Sequence, residues 1–399
     1  MSLLIDPPTW PAWGSLWSHL VSDVGTDELH EFAQRAGLPA RAFHLDHYDV
    51  PARAYEDLVA AGARPVPSRV LVETLVRTGQ RRRKAETPRP RRPGSRLLRP
   101  PRLRGGDEVA VVAPAGPVPA ARLDRGLTVL RSWGLQVHVG EHVLGTHPRL
   151  AHLAGTDAER AADLMRAWCR PEVRAVFAAR GGSGAHRLIE LLDWDRMIAA
   201  GPRILVGFSD ISALHEAVAA QLGVVSVHGP VVASLGEAPD VTVSSLRDLL
   251  FDADRALLAG TPLLAGAADG PAEGVLLGGN LAVLAASLGS ASSRPAAGGI
   301  VVLEDVAEPA YKVDRLLTSL LRAGWFDGVR GIALGVFHGS DDPAQITAVL
   351  TERLAPLDVP VLGGLPVGHV PDNRSLPFGV RARIDAGAGT LQVLDRPLR

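Results

Sequence analysis

The chain has 399 residues, 46% hydrophobic and 21% charged, with a formal net charge of −1; it is too long for one ordinary domain, and two or three are expected. Its single cysteine, Cys169, excludes an internal disulfide, fits a reducing compartment, and sits in a helical stretch with no nearby histidine, as a structural thiol would. The apolar start Leu3–Ile5 halts at Asp6, and no apolar run reaches the roughly 18 residues of a membrane span, so a cytoplasmic, soluble protein without a membrane partner is expected.

In chain order, residues 1–79 read as a small α/β domain. "SLLID" is a short strand, "GTDELHEFAQRAGL" an amphipathic helix capped by Thr26 or Asp27, and "SRVLVETLVRTG" a second helix. Between them His44, Asp46, His47, Tyr48 and Asp49 crowd together, and with His19 and Asp23 they offer donors for a metal or a phosphate. Their spacing fits no metal motif, and such residues equally cap turns, so no metal is assigned.

Residues 80–104 read as an Arg/Pro-rich linker. Eleven basic residues stand there against Glu86 alone, and the rest of the chain carries 31 basic against 42 acidic residues. Prolines and like charges keep such a run extended and solvated. It lacks aromatic side chains for base stacking, so nucleic acid is not the expected partner. A nucleic-acid-binding role for the N-terminal domain and linker stands as the alternative of a different class.

From 105 to 240, strands and helices alternate. "GDEVAVVAPAG" is a strand, "ARLDRGLTVLRSWG" a helix, "LQVHVG" a strand and "DAERAADLMRAWC" a helix. "VRAVFAARGGSG" runs from strand into a glycine loop, "AHRLIELLD" is helical, and "RILVGFSD" is a strand that leads into "ISALHEAVAAQLG". The alternation predicts a parallel sheet covered by helices, with reactive residues gathered where strands end. Residues 241–270, rich in Ala, Gly and Pro, read as a connection, and 271–399 as a smaller β-rich lobe.

The corner "VGFSDISALHEA" raises the chemical question. Ser209 or Asp210 either caps a helix or presents a nucleophile at a strand end. A hydroxyl needs a base, usually histidine, oriented by a carboxylate. His369 in "GGLPVGHVPDN" follows a glycine after an apolar strand and is the candidate base. Glu304 ends the apolar run "GIVVLED", where a buried carboxylate needs a partner; it is the candidate orienter, or else a backbone cap. The loop "ARGGSG" lacks the Lys-Ser/Thr of nucleotide loops, but backbone N–H groups from Gly181 or Gly182, with that of Asp210, would suit a developing oxyanion. "GFSDI" departs from the Gly-x-Ser-x-Gly elbow, having Ile211 at the second glycine position.

Together "VAPAGPV", "RGGSGAHRLIELLD", "LVGFSDISALH", "HGPVV", "LLGGNLAVL", "LEDVAEPAYKVDRLLTSL" and "GLPVGHVPDN" resemble, in order over residues 105–390, the LD-carboxypeptidase family of serine peptidases. That family includes muramoyl-tetrapeptide carboxypeptidases and microcin-C self-immunity proteins. The resemblance implies a parallel-sheet lobe carrying the nucleophile Ser209, a smaller lobe carrying Glu304 and His369, and an oxyanion region at Gly181, Gly182 and Asp210. It implies a metal-free, cofactor-free hydrolysis that releases D-alanine from murein tetrapeptides during peptidoglycan recycling, by an enzyme that is usually a homodimer. The alternative it carries is a detoxifying amidase acting on peptide–nucleotide or acyl-amino-acid conjugates. Ala310 replaces a common proline, a departure remote from the triad. The first 80 residues, with "DPPTWPAWGSLWSHLVSD" and "FHLDHYDVP", resemble a small bacterial domain family of unknown function.

Overall fold

A computed structural model describes residues 2–12, 15–39, 42–44, 46–78, 97–253, 256–263, 270–339 and 342–399. The chain divides into two compact units, Met1–Arg89 and Pro90–Arg399. In the first, strands β1 (Leu3–Ile5), β2 (Trp10–Ala12), β3 (Ser15–Ser22), β4 (Phe43–His44), β5 (His47–Pro51) and β6 (Arg64–Pro65) form one sheet, ordered β4-β5-β3-β1-β6 with β2 on β3. Helices α1 (Thr26–Arg35), α2 (Tyr55–Ala60) and α3 (Ser68–Arg77) accompany it. Ile5, Leu20, Leu29, Phe32, Tyr48 and Val50 build its core. The predicted Thr26 or Asp27 cap is not made: Gly25 occupies the N-cap position, and Ser22 Oγ accepts from the amides of Val24 and Gly25 instead.

The second unit holds two sheets. One contains β7 (Glu108–Val112), β8 (Gln136–Val139), β9 (Val173–Ala178), β10 (Ile204–Gly207) and β11 (Ser226–His228), all parallel. Helices α4 (Ala120–Ser132), α5 (Asp157–Cys169), α6 (Trp194–Ala200), α7 (Ser212–Ala217), α8 (Val232–Leu235) and α9 (Asp240–Asp252) belong to the same lobe. Apolar clusters lie on both sides of the sheet, so β9 and β10 read as unbroken hydrophobic runs, as central parallel strands do. Each fully buried Val or Leu there contributes roughly 1.5–3 kcal/mol of transfer free energy.

The other sheet contains β12 (Leu257–Ala259), β13 (Thr261–Pro262), β14 (Ala272–Asn280), β15 (Gly299–Val306), β16 (Gly331–His338), β17 (Val361–Gly363), β19 (Arg381–Asp385) and β20 (Thr390–Val393). Strands β14 to β17 are mutually parallel and the edges antiparallel. Helices α10 (Leu281–Ala286), α11 (Ala310–Arg322) and α12 (Pro343–Leu354) complete the lobe. A remaining strand, β18 (Leu376–Phe378), crosses back and pairs antiparallel with β11 of the first lobe, fastening the two lobes through backbone bonds.

Two further sequence expectations need correction. Residues 97–104 are packed chain, not linker: Leu98 bridges Val224, Leu103 is buried with its N–H on Leu250 O, and Arg99 pairs with Asp395 at 2.8 Å. The rest of the Arg/Pro-rich run, 80–96, lies outside the described residues. The supposed connection 241–270 begins with most of helix α9, whose Thr242, Leu246, Leu249 and Leu250 are buried at helical spacing. Small residues around it masked that periodicity. The helical segment "AHRLIELLD" takes the 3-10 form over Ala185–Leu191.

Candidate active site

Ser209 lies just past the carboxyl end of β10 and opens a short 3-10 turn, Ser209–Ile211, that leads into α7. Its φ is +65°, a left-handed conformation that costs a non-glycine residue of order 1 kcal/mol or more. That turn lifts the side chain off the sheet edge. Gly207 makes the turn feasible, because a Cβ there would lie 3.0 Å from Ile211 Cγ1 and 3.1 Å from Ala178 Cβ. Ile211, the departure from the two-glycine elbow, is fully buried against that glycine. Gly207 relieves the crowding on that side of the corner.

Gly181 lies against the nucleophile candidate: a Cβ at 181 would sit 2.8 Å from Ser209 Cβ. Its carbonyl accepts from the Gly116 amide at 3.0 Å, which ties the loop to the end of β7. Asp210 turns inward and accepts the Ala185 N–H at 2.7 Å. Burial raises the Asp210 pKa, against the lowering effect of that amide bond. Asp210 therefore fixes the far end of the glycine loop, while its backbone belongs to the turn beside Ser209.

Glu304 and His369 come from the other lobe. Glu304 faces Asn280 across β14–β15, and the β15–β16 register slips between Leu303 and Asp305, a bulge that re-aims the side chain between them. The carboxylate is fully buried. Its slot is made by glycine: a Cβ at Gly368, itself at φ +106°, would fall 2.6 Å from Glu304 Oε2. His369 Nδ1 lies 2.6 Å from Glu304 Oε2, and its Nε2 lies 3.1 Å from Ser209 Oγ. A carboxylate oxygen only accepts, so Nδ1 carries the hydrogen and Nε2 offers its lone pair to the serine hydroxyl. The Phe208 ring packs 4.8 Å from the imidazole centroid. Residues 65 and 160 positions apart thus form one hydrogen-bonded chain.

Several supporting residues were not singled out in the sequence. Ser212 Oγ accepts the Asn280 N–H at 2.9 Å, and Asn280 Nδ2 donates to Asp305 Oδ1 at 2.9 Å. This links the helix after Ser209 to the strand of Glu304. Burial pushes Asp305 up to about 6, against the opposing pull of its hydrogen bonds. Thr242 Oγ1 donates to Pro371 O at 2.8 Å, so α9 braces the His369 loop. These polar residues had no local signal, since their partners are set by tertiary structure.

Behind the corner, His215 bonds Gly207 O through Nε2 at 2.9 Å and Ser226 Oγ through Nδ1 at 2.8 Å, as a neutral ring. Burial pushes its pKa down to about 4. His228 is fully enclosed, edge-on to the Phe208 ring and tilted against that of Phe378. Burial first, then the neighbouring His215 and His369, push it down to about 3. Unfolded, each ring binds a proton near pH 6.5. The unfolded chain therefore holds more protons than the native one between pH 6.5 and about 4, and stability is lost as pH falls through that window. Replacing His228 by leucine should remove its share. The difference in melting temperature between His228→Leu and the parent should move in the variant's favour by roughly 5 °C from pH 7 to 4.5. A pH-independent difference in thermal melts would count against a neutral buried imidazole.

Of the N-terminal cluster, the fold brings together His19, His47 and Asp49, whose donor atoms lie within 4.8 Å of one another. Asp23 instead accepts the Ser2 amide, and the Tyr48 hydroxyl pairs with His30 Nδ1. The side chain of His44 lies outside those described.

Comparison with known proteins follows this division. Residues 109–229 match the LD-carboxypeptidase N-terminal domain, 273–384 the LD-carboxypeptidase C-terminal domain, and 3–78 a domain of unknown function. A putative carboxypeptidase of Streptomyces coelicolor is 50% identical over 306 residues, covering 75% of this chain and 97% of that protein. The crystal structure of muramoyltetrapeptide carboxypeptidase from Oxalobacter formigenes superposes with a TM-score of 0.64 at 30% identity, covering 73% of this chain and 99% of that one. MccF in complex with glutamyl sulfamoyl guanosine superposes with a TM-score of 0.66 at 25% identity, covering 76% and 100%. With both of its domains matched and a relative aligned over nearly its full length, the chain belongs to the LD-carboxypeptidase family and is a serine carboxypeptidase, a hydrolase.

Proposed function

We propose that the chain removes the terminal D-alanine from murein tetrapeptides by cutting the L,D bond, with Ser209 as nucleophile, His369 as general base and acid, and Glu304 as the group that orients and stabilises the imidazole. One observation carries this reading: the continuous chain from Ser209 Oγ through His369 to buried Glu304, at 3.1 and 2.6 Å. His369 Nε2 takes the hydroxyl proton as Ser209 attacks the carbonyl carbon. The oxyanion falls toward backbone N–H groups of Asp210 and of Gly181 or Gly182. His369 then protonates the leaving amine, and D-alanine departs. Water, deprotonated by the same nitrogen, opens the acyl-enzyme and frees Ser209. No step calls for a metal or cofactor.

Tetrapeptide fragments of murein arise inside the cell during peptidoglycan recycling, so the proposed setting is the cytoplasm and the proposed form a homodimer, as the resemblance implies. No helix among the described residues is long and apolar enough to cross a membrane. The second reading is a detoxifying amidase acting on an acyl-amino-acid nucleotide conjugate, favoured by the equal fit to MccF with glutamyl sulfamoyl guanosine. Mass spectrometry separates the two: the first predicts loss of one alanine from a purified tetrapeptide and no cleavage of an aminoacyl sulfamoyl nucleoside. An intact tetrapeptide beside a cleaved conjugate would reverse the assignment.

A further inference from the structure

We propose that Arg160 is a positioning residue for the hydrolysis: its buried guanidinium holds the glycine loop 181–184 at the spacing from Ser209 that the oxyanion requires. This role deepens the reading of Ser209 as nucleophile and rests on it. In "DAERAADLMRAWC" the buried residues of α5 are Arg160, Ala161, Asp163, Leu164, Ala167 and Trp168. Arg160 therefore stands on the core-facing stripe, where helical spacing calls for an apolar side chain. Its side chain is 1% exposed. A charge so placed is costly unless its donors are met, and two of the partners that meet them lie in loops at the active site.

Nη1 carries two hydrogens and gives them to two carbonyls, Pro114 O and Gly184 O, the latter at 3.1 Å. Nη2 donates to Asp157 in the first turn of the same helix. That turn is itself fixed by a capping box between Thr156 and Glu159. Gly184 O and the Ala185 N–H belong to one planar peptide group, and this N–H donates to Asp210 Oδ2 at 2.7 Å. The peptide is thus gripped on both edges, by Arg160 and by the residue after Ser209. At the other end of the loop, Gly181 O accepts from the amide of Gly116, two residues beyond Pro114. One guanidinium therefore ties both ends of the loop to the end of β7. Glycine at 184 permits its approach, since a Cβ there would fall 2.9 Å from Arg160 Nη1.

Between these fixed points, the N–H groups of Gly181 and Gly182 donate to no backbone carbonyl among the described residues. Such groups favour a developing oxyanion only when they are aimed beforehand, because a loop that must reorganise during the attack loses the gain. A planar fork that meets two carbonyls and a carboxylate aims a loop, whereas an apolar contact has no preferred direction. Lysine would keep the charge but lose the fork. The competing account is a guanidinium that only fastens α5 to the sheet. It predicts lower stability with no slower chemistry in the protein that remains folded.

The test uses the full chain and reads the loop in two ways. A fluorophosphonate labels an activated serine, and its phosphoryl oxygen calls on the same donors as the oxyanion. The labelling rate of Ser209, followed by mass spectrometry, therefore reports on the loop without any natural substrate. Arg160→Met keeps the apolar stem and removes the donors. It should label at least about 10-fold more slowly and, on a murein tetrapeptide, lose roughly 100-fold in kcat with KM within about threefold. Arg160→Lys should recover part of both losses. Arg122→Met, which alters an exposed pair with Glu237 in the same lobe, should match the parent. Rates are compared on protein whose thermal melt lies well above the assay temperature. If Arg160→Met fails to fold, Asp157→Asn, on a partly exposed side chain, removes one anchor of the guanidinium and should slow labelling about 3–10-fold. A folded Arg160→Met, or Asp157→Asn in its place, that labels at the parent's rate overturns the role of Arg160, as does a loss confined to KM. A parent that takes no label at Ser209 overturns the nucleophile itself, so the two failures are told apart.

Discussion

Ser209→Ala should lower the turnover of D-alanine release by at least about 10^4-fold while leaving the fold and substrate affinity nearly intact. The magnitude follows from removing the attacking atom from a group that works as a unit, after which only the oxyanion donors and binding energy still accelerate hydrolysis. The clean fold follows from local structure. Ser209 holds φ +65° because the turn between β10 and α7 demands it, and alanine adopts that region no less readily than serine. Among the described residues the hydroxyl bonds His369 alone, at 3.1 Å, so its loss strands no buried donor. Kinetics with an amino-acid oxidase readout, beside a thermal melt and tetrapeptide calorimetry, check the three parts. Turnover within tenfold of the parent would remove Ser209 from the chemistry, whatever the geometry.

Much of this site could be read before any coordinates. Ser209 follows a strand ending in glycine, Glu304 follows an apolar run that drags a carboxylate inside, and His369 follows a glycine that only a special backbone position requires. Each signal is local, and local signals survive in sequence. What could not be read is the network joining the lobes. Asn280, Ser212, Asp305 and Thr242 are ordinary polar residues until the strands β14 and β15 and the helices α7 and α9 are set side by side. The same reason explains α9, whose apolar spacing was hidden among small residues, and the exact partners of His19 and His47. Strand register decides those, and register depends on which strands pair.

Glu304→Gln isolates the other end of the chain, and it should reduce kcat by about 10^3–10^4-fold with little change in KM. Glutamine has nearly the same volume, so the tight glycine slot beneath Gly368 is respected and the melting temperature should hold within a few degrees. Its amide cannot serve as the carboxylate does. If the NH2 faces His369 Nδ1, the ring must take the opposite tautomer, and Nε2 then carries a hydrogen toward Ser209 instead of a lone pair. If the oxygen faces Nδ1, the NH2 occupies the place of Oε1, an atom with no hydrogen-bond partner among the described residues, and becomes a buried donor without an acceptor there. In both orientations the negative charge that favours the imidazolium during attack is gone. Glu304→Asp keeps that charge but withdraws it by one methylene, so it should retain more activity than the amide variant. A ranking with Glu304→Gln above Glu304→Asp would mean that shape rather than charge and tautomer governs the pair, and the role given to Glu304 would fall.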